Sequence, residues 1–147
     1  PGCGFGYVSV PLAKMVGPQG KVISVDIEPR ALERVERRAR RARVSDRIVT
    51  RVCTPKDLGL ADFAGEVDLV SVVHTLHEFQ DLPDFLGQVA TLLKPDGRLW
   101  VVEPPGHVTP EHFAAEMECC RLAGFKELDH RPLGGGRMTA LLAPPAA

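Results

Sequence analysis

Alternating glycines open the sequence and are followed at once by an apolar run. Gly2, Gly4 and Gly6 enclose Cys3 and Phe5. Glycine lets a backbone approach a ligand where a Cβ would collide, and it adopts the positive φ of a tight strand-to-helix turn. The free N–H groups at a helix start face whatever lies over such a turn. The stretch therefore predicts a nucleotide-binding turn, with a purely structural glycine turn as the alternative.

The spacing of these glycines narrows the class of ligand. The dinucleotide fingerprint is G-x-G-x-x-G, whose third glycine comes three places after the second. Here Gly6 comes two places after Gly4, and Tyr7 occupies the expected position. The pattern therefore disfavours NAD.

A carboxylate ends the next apolar run. Lys21 to Asp26 is a short β-branched stretch typical of a buried parallel strand. In a βαβ unit an acid at this place lies at the carboxyl end of the strand, beside the glycine turn, where it can accept both ribose hydroxyls of a nucleoside. A helix N-cap is the alternative role, and Glu28, ahead of Pro29, suits it better. Ile27 is then expected to flank the adenine.

Two histidines follow another buried run. The stretch 66–73 is nearly all apolar, and His74 and His77 come directly after it. Open α/β sheets bind ligands beyond the carboxyl ends of their strands. Histidine exchanges protons near neutral pH, so both side chains are candidate catalytic bases, with ordinary hydrogen bonding as the alternative. The order H-x-x-H-E lacks the spacing of a zinc-binding helix, and no metal is expected.

The elements that position these residues alternate along the chain. Hydrophobic periodicity and turn residues predict helices over 7–16, 29–42, 84–93 and 109–123. They predict strands over 21–26, 48–52, 66–73, 98–103, 125–131 and 137–143. This alternation is typical of the α/β class. We expect one domain over 1–143 and a tail over 144–147.

Size and composition exclude several classes of protein. The chain has 147 residues and a net charge of −1, which gives no general reason to expect nucleic acid or an anionic membrane as a partner. No apolar run approaches the roughly 20 residues that span a bilayer, and the start does not resemble a signal peptide. We therefore expect a cytoplasmic location. Because the cysteines lack C-x-x-C spacing, we expect reduced thiols.

Arginines cover the outer face of the helix predicted over 29–42. They are Arg30, Arg34, Arg37, Arg38, Arg40 and Arg41, followed by Arg43. Such a cluster can bind phosphates. However, no aromatic residues interleave the arginines, and acidic residues elsewhere cancel their charge, so the pattern favours a solvated face with Glu33 and Glu36 as local partners. RNA binding remains the alternative.

Four blocks of sequence together resemble a known family. They are the glycine turn, Asp26, L-H-E at 76–78, and the run L-L-K-P-D-G-R-L-W-V-V-E-P at 92–104. The chain resembles class I S-adenosylmethionine (SAM)-dependent methyltransferases of the small-molecule, ubiquinone-biosynthesis type (types 11 and 31). The resemblance implies a Rossmann-like, doubly wound, mostly parallel sheet with an antiparallel last strand. It also implies methyl transfer from SAM to a small-molecule acceptor.

The resemblance further implies which residues meet the cofactor and the acceptor. Residues 2–6, Asp26, Ile27 and His74 are expected to bind SAM. Thr54 stands where the family has an acid that meets the adenine amino group, in a stretch of the form D-A-x-x-L. His77 and His74 are the expected catalytic side chains. The D/N-P-P-Y/F motif of amino-methylating nucleic-acid enzymes does not follow the strand over 66–73, so nucleic acid is not expected as the substrate.

In this family a central strand precedes the glycine turn. The present sequence begins at Pro1. We therefore expect an N-terminally truncated sheet, which either a longer chain or a second subunit completes. The chain alone is expected to be unstable as a monomer or to self-associate, because unpaired inner strands expose backbone N–H and C=O groups. A non-catalytic, cofactor-deficient fragment and an RNA methyltransferase using the arginine helix are the alternative functions.

Overall fold

A computed structural model describes residues 1–146, in two compact units that meet in sequence at Gly59 and Leu60. The first unit holds the glycine turn and the strand that ends in Asp26. The second holds both candidate histidines. The single domain over 1–143 stays a prediction, and of the expected tail, Ala147 lies outside the described residues.

The first unit is a βαβ arrangement preceded by a short helix. Its elements are α1 (Ser9–Met15), β1 (Val22–Asp26), α2 (Pro29–Ala42) and β2 (Ile48–Val52). The strands β1 and β2 are parallel, with Val22 opposite Ile48 and Asp26 opposite Val52. The arrangement brings the carboxyl ends of β1 and β2 to one edge of the sheet, where Asp26 lies.

Local chemistry fixes the limits of α2. The Glu28 side chain accepts a hydrogen bond from the Arg30 N–H at 3.4 Å, and Pro29 occupies the first turn. This confirms Glu28, rather than Asp26, as the cap. The helix ends at Ala42 and is followed by the C-cap residue Arg43, which has a left-handed φ of 57°. Its buried stripe packs on the sheet and consists of Ala31, Leu32, Val35 and Ala39.

The second unit contains a mixed sheet flanked by helices. Its elements are β3 (Val67–Val73), α3 (Leu82–Leu92), β4 (Leu93–Glu103), α4 (Pro110–Leu122), β5 (Lys126–Asp129) and β6 (Met138–Ala143). The strand order is β3-β4-β6-β5. The pair β3 and β4 is parallel, whereas β6 runs antiparallel to both β4 and β5. The expected antiparallel last strand is therefore confirmed.

Most element boundaries lie within one residue of the prediction, but the end of β5 comes two residues early, at Asp129, and three starts differ by two residues or more. The first helix begins at Ser9 rather than Tyr7, because the turn at Gly6 extends further. The helix α3 begins at Leu82 rather than 84, because the Asp81 side chain caps it by accepting from the Asp84 N–H at 3.0 Å. Strand β4 begins at Leu93 rather than 98, since the predicted turn over 94–97 is a bulge within the strand pairing.

Within residues 1–146, none of the helices is both long and apolar enough to cross a bilayer.

Candidate functional site

The glycine turn of the first unit is held against β1 by backbone hydrogen bonds. The Cys3 N–H donates to the Val25 carbonyl at 3.0 Å, and the Gly6 N–H donates to the Cys3 carbonyl at 3.0 Å. Gly2, Gly4 and Gly6 have φ values of 62°, 50° and 75°. The expected positive φ is thus confirmed at all three glycines, and only glycine adopts it without strain.

The carboxylate of Asp26 joins this turn. Oδ2 accepts from the Gly4 N–H at 2.8 Å, and Oδ1 accepts from the Glu28 N–H at 3.0 Å. The side chain belongs to the buried set, with the residue 8% exposed. A carboxylate oxygen has two lone pairs, so the carboxylate can accept more hydrogen bonds than these two. The structure confirms that Asp26 lies beside the glycine turn, whereas ribose binding stays a prediction.

Gly4 and Gly6 have different surroundings. A Cβ built at Gly4 has no atom within 4 Å, so open space lies over this residue. A Cβ at Gly6 meets the Val35 Cγ2 at 3.1 Å, because α2 packs directly against the turn. Gly6 is therefore required for packing, and Gly4 leaves its backbone accessible to a ligand.

Two thiols near Asp26 are protonated at neutral pH. Burial, and then the negative charge of Asp26, raises the pKa of Cys3 to about 12. The same two causes raise the pKa of Cys53. All four cysteines are free thiols, as expected. No cluster of three or more metal-ligating side chains occurs in the described part of the chain.

Ile27 and Thr54 lie at the ends of β1 and β2. Ile27 is exposed, as an adenine-flanking side chain would be. The Thr54 hydroxyl oxygen accepts from the Asp57 N–H at 3.0 Å and the Lys56 N–H at 3.3 Å, so it stabilises its own turn. Roles of Ile27 and Thr54 in cofactor binding stay predictions.

In the second unit, His74 and His77 follow β3 in different environments. His74 is exposed and has a left-handed φ of 59°, which is uncommon for a residue other than glycine. Its N–H donates to the Val102 carbonyl at 2.7 Å. His77 lies in a 3₁₀ turn (Leu76–Glu78) and is held by its side chain instead.

The partner of His77 is a buried carboxylate that the sequence reasoning missed. The Nδ1 of His77 lies 2.6 Å from Oε2 of Glu103, the last residue of β4. The Leu76 N–H donates to the other oxygen, Oε1, at 2.7 Å. Glu103 is 0% exposed. The signal was available, because Glu103 is a strand-end acid like Asp26.

Glu116 of α4 is a second buried carboxylate that was not predicted from the sequence. It is 4% exposed, and neither of its oxygens accepts a hydrogen bond from a described residue. The His112 Nε2 lies 3.4 Å from Oε1, within ion-pair distance but without hydrogen-bond geometry. Burial, followed by repulsion from Glu103, raises the pKa of Glu116 to about 7, although His77 acts in the opposite direction. Its place in the buried stripe of α4 was the available signal.

The arginine face of α2 requires one correction. The Arg34 guanidinium lies 4.1 Å from the centre of the Phe5 ring, and Arg38 lies 4.3 Å from that of Tyr7. Aromatic side chains therefore do interleave these arginines, but they come from the glycine turn rather than from the helix. Glu36 lies 3.9 Å from Arg40, which confirms it as a local partner.

Comparisons of the sequence with known proteins agree on one family. Residues 1–101 match the profile described as a methyltransferase domain. The chain is 28% identical over 108 residues to a demethylmenaquinone methyltransferase of Lactobacillus johnsonii, covering 74% of this chain and 43% of that protein. It is 37% identical over 106 residues to a nocamycin O-methyltransferase of Saccharothrix syringae, covering 70% and 36%. The chain thus spans less than half the length of these relatives.

Solved structures share the fold. A SAM-dependent methyltransferase from Aquifex aeolicus superposes with a TM-score of 0.84 and 20% identity, over 96% of this chain and 78% of that one. The [4+2]-cyclase SpnF superposes with a TM-score of 0.77 and 16% identity, over 99% and 74%. At these identities the likeness establishes the fold alone, and it confirms the Rossmann-like α/β class.

Proposed function

The chain belongs to the methyltransferase-domain family, and from this premise we propose that it acts as a SAM-dependent methyltransferase on a small-molecule acceptor. The observation that carries the proposal is the 2.8 Å hydrogen bond from the Gly4 N–H to Asp26 Oδ2. It joins the glycine turn and the strand-end acid into one polar surface. The names of the two relatives, which specify demethylmenaquinone and nocamycin, support a small organic acceptor.

The residues of the first unit fit an adenosyl ligand. The open space over Gly4 accommodates a close approach to the backbone, and the Asp26 carboxylate is an acceptor that suits ribose hydroxyls. The exposed side chain of Ile27 suits an adenine face. The predicted contacts of Cys3, Phe5 and Thr54 belong to the same proposal, whereas cofactor binding by His74 stays a prediction.

When bound, SAM would supply a methyl group on a positively charged sulfur for direct transfer to an acceptor atom. The protein's task is then to orient the acceptor and exclude water, and such orientation is worth roughly 7 to 11 kcal/mol of barrier. A base is needed where the acceptor carries a proton at the attacking atom. His77 and His74 are the side chains proposed for that step.

Calorimetry with SAM and S-adenosylhomocysteine (SAH) tests the cofactor. We expect both to bind to the wild-type protein and Asp26→Asn to weaken SAH binding at least tenfold. The amide keeps the shape of Asp26 but loses the charge that two ribose hydroxyls would meet. Glu28→Gln is the matched control, because Glu28 caps α2 nearby. A folded wild-type protein that binds neither ligand would favour the non-catalytic, cofactor-deficient alternative.

Location and assembly are further proposals. The four free thiols support a cytoplasmic location, where cysteines remain reduced. Among the described strands, β1 and β3 each pair with a single neighbour, which supports completion of the sheets by a second copy or a further segment. Size-exclusion chromatography tests the oligomeric state. A stable monomer that also unfolds in one sharp transition would contradict self-association.

A further inference from the structure

Two aromatic side chains at the glycine turn lie against arginines of α2. The Arg34 guanidinium lies 4.1 Å from the centre of the Phe5 ring, and that of Arg38 lies 4.3 Å from the centre of the Tyr7 ring. Both distances are within the range of a cation–π contact. No carboxylate in residues 1–146 forms an ion pair with Arg34. The Phe5 ring and the Arg34 guanidinium therefore hold each other in place.

Phe5 is the only residue with a side chain between the two glycines that flank it. Gly4 and Gly6 have φ values of 50° and 75°. Glycine adopts such values without strain, but its freedom also makes many other conformations accessible to the turn. Ordering the turn therefore costs conformational entropy, and the glycines have no side-chain contacts to offset it. Phe5 is the position at which the rest of the unit can hold this segment.

The helix α2 supports the turn at two adjacent positions. A Cβ at Gly6 would lie 3.1 Å from Val35 Cγ2, so the backbone of the turn rests directly on this fully buried residue. Arg34 precedes Val35 in the helix, and Phe5 precedes Gly6 in the turn. The contact of Arg34 with Phe5 therefore extends the same packing to the surface, where both side chains are exposed. A guanidinium can cover an aromatic face there while its N–H groups stay in water.

The part of the turn that a ligand can approach lies next to Phe5. The Gly4 N–H donates to Asp26 Oδ2 at 2.8 Å, and open space lies over Gly4. One rigid peptide plane links Gly4 to Phe5, so a restraint on Phe5 also restricts Gly4. A fixed Phe5 ring therefore favours the conformation in which Gly4 is bonded to Asp26.

Resting on the function proposed above, we propose that Arg34 is a positioning residue for the cofactor, because its contact with Phe5 orders the glycine turn before SAM binds. The ligand then meets the turn in its binding conformation and does not have to order it. Arg34 acts through Phe5 and needs no contact with the cofactor itself. The contact gives one arginine of the exposed face of α2 a role within the first unit.

Amide hydrogen exchange, measured by NMR in the ligand-free protein, tests the ordering of the turn. We expect the Gly4 and Gly6 amides to exchange about two- to fivefold faster in Arg34→Met, which is the change in an opening equilibrium that one exposed cation–π contact accounts for. Methionine is also unbranched and apolar but carries no charge. Arg37→Met is the matched control, because Arg37 is exposed on the same helix and lies over neither ring. The Cys53 amide, hydrogen-bonded at 3.0 Å beside β1, is the internal reference.

A double-mutant cycle separates the contact from a general structural effect. Phe5→Leu removes the aromatic face but keeps an apolar side chain, and we expect exchange to rise by the same factor as in Arg34→Met. The double variant should exchange no faster than either single variant, because both changes remove one contact. Phe5→Tyr keeps an aromatic face and should retain the wild-type rate. Unchanged exchange in Arg34→Met, equal acceleration in Arg37→Met, or multiplied effects in the double variant would overturn the proposal.

Calorimetry with SAH then tests whether the ordered turn serves the cofactor. We expect Arg34→Met to bind SAH about two- to fivefold more weakly than the wild type, and Arg37→Met to bind it equally well. Faster exchange in Arg34→Met together with unchanged SAH affinity would contradict the positioning role. Absence of SAH binding by the folded wild-type protein would instead remove the proposed function, whereas the exchange rates would still show whether Arg34 orders the turn.

Discussion

Glu116 makes the stability of the second unit depend on pH, and Glu116→Gln should remove that dependence. The side chain is buried and without a hydrogen-bond donor among the described residues. The ionisable groups around it include Glu103, His77, His112 and Cys120. The amide is nearly the same size and carries no charge, so the substitution isolates the cost of ionising this carboxyl group.

The magnitude follows from the two pKa values. Burial raises the pKa of Glu116 from its ordinary 4.5 to about 7 in the folded protein. The folded state therefore binds more protons than the unfolded state between these values, and stability falls as pH rises through this window. At 1.36 kcal/mol per pKa unit, this difference in pKa changes the free energy of unfolding by at most about 3 kcal/mol. We expect about 2 kcal/mol, because solvent screens part of the interaction.

Urea denaturation at pH 5 and pH 8 measures this effect. The only tryptophan, Trp100, lies on β4, so its fluorescence reports unfolding of the second unit. We compare the free energy of unfolding of Glu116→Gln with that of the wild type at each pH. The variant's advantage over the wild type should be about 2 kcal/mol larger at pH 8 than at pH 5. Glu118→Gln is the control, since an exposed ion pair on the same helix contributes less than about 1 kcal/mol.

The result that would refute the reasoning is a stability difference between Glu116→Gln and the wild type that is the same at both pH values. That outcome would mean that Glu116 ionises in the folded protein as readily as in the unfolded chain.

Three further predictions concern the glycine turn, the thiols and the arginine face. Gly6→Ala should destabilise the protein by about 2 kcal/mol or more, because the residue has a positive φ and its Cβ would meet Val35. Gly4→Ala should cost about 1 kcal/mol of stability and mainly weaken SAH binding; denaturation measures the first effect and calorimetry the second. Iodoacetamide at pH 8 should not modify Cys3 or Cys120, as measured by mass spectrometry, because burial raises the pKa of each thiol to about 12. Rapid labelling of either thiol in the folded protein would contradict this prediction. Fluorescence anisotropy at 0.15 M salt should detect no binding of single-stranded RNA to the arginine face of α2, because Glu36 and two aromatic rings already contact this face. Steeply salt-dependent binding would favour the RNA alternative.

The sequence predicted the first unit well because its signals are local. Glycines at alternate positions require positive φ, and a β-branched run ending in Asp26 is a strand-end acid in any βαβ unit. Both depend on a few adjacent residues. The cap at Glu28 was equally local, since a side-chain acceptor ahead of a proline is a frequent start of a helix.

The surroundings of Glu103 and Glu116 were not predicted, because their contacts join residues that are distant in sequence. Glu103 meets His77 only because β3 and β4 are adjacent and parallel. Glu116 is buried only because α4 places it in its inward stripe. The pairs of Phe5 with Arg34 and Tyr7 with Arg38 depend in the same way on α2 packing against the turn. Spacing along the chain cannot report such neighbours.

The strand order of the second unit has a consequence for synthesis on the ribosome. The strand β6 lies between β4 and β5, although it is made after both. While the ribosome is still translating residues 138–143, β4 lacks one of its two neighbours and β5 has no sheet to join. The βαβ arrangement of the first unit closes much earlier. Translation therefore separates the two units in time, and a nascent chain stalled before Met138 would display an uncovered β4 edge to chaperones.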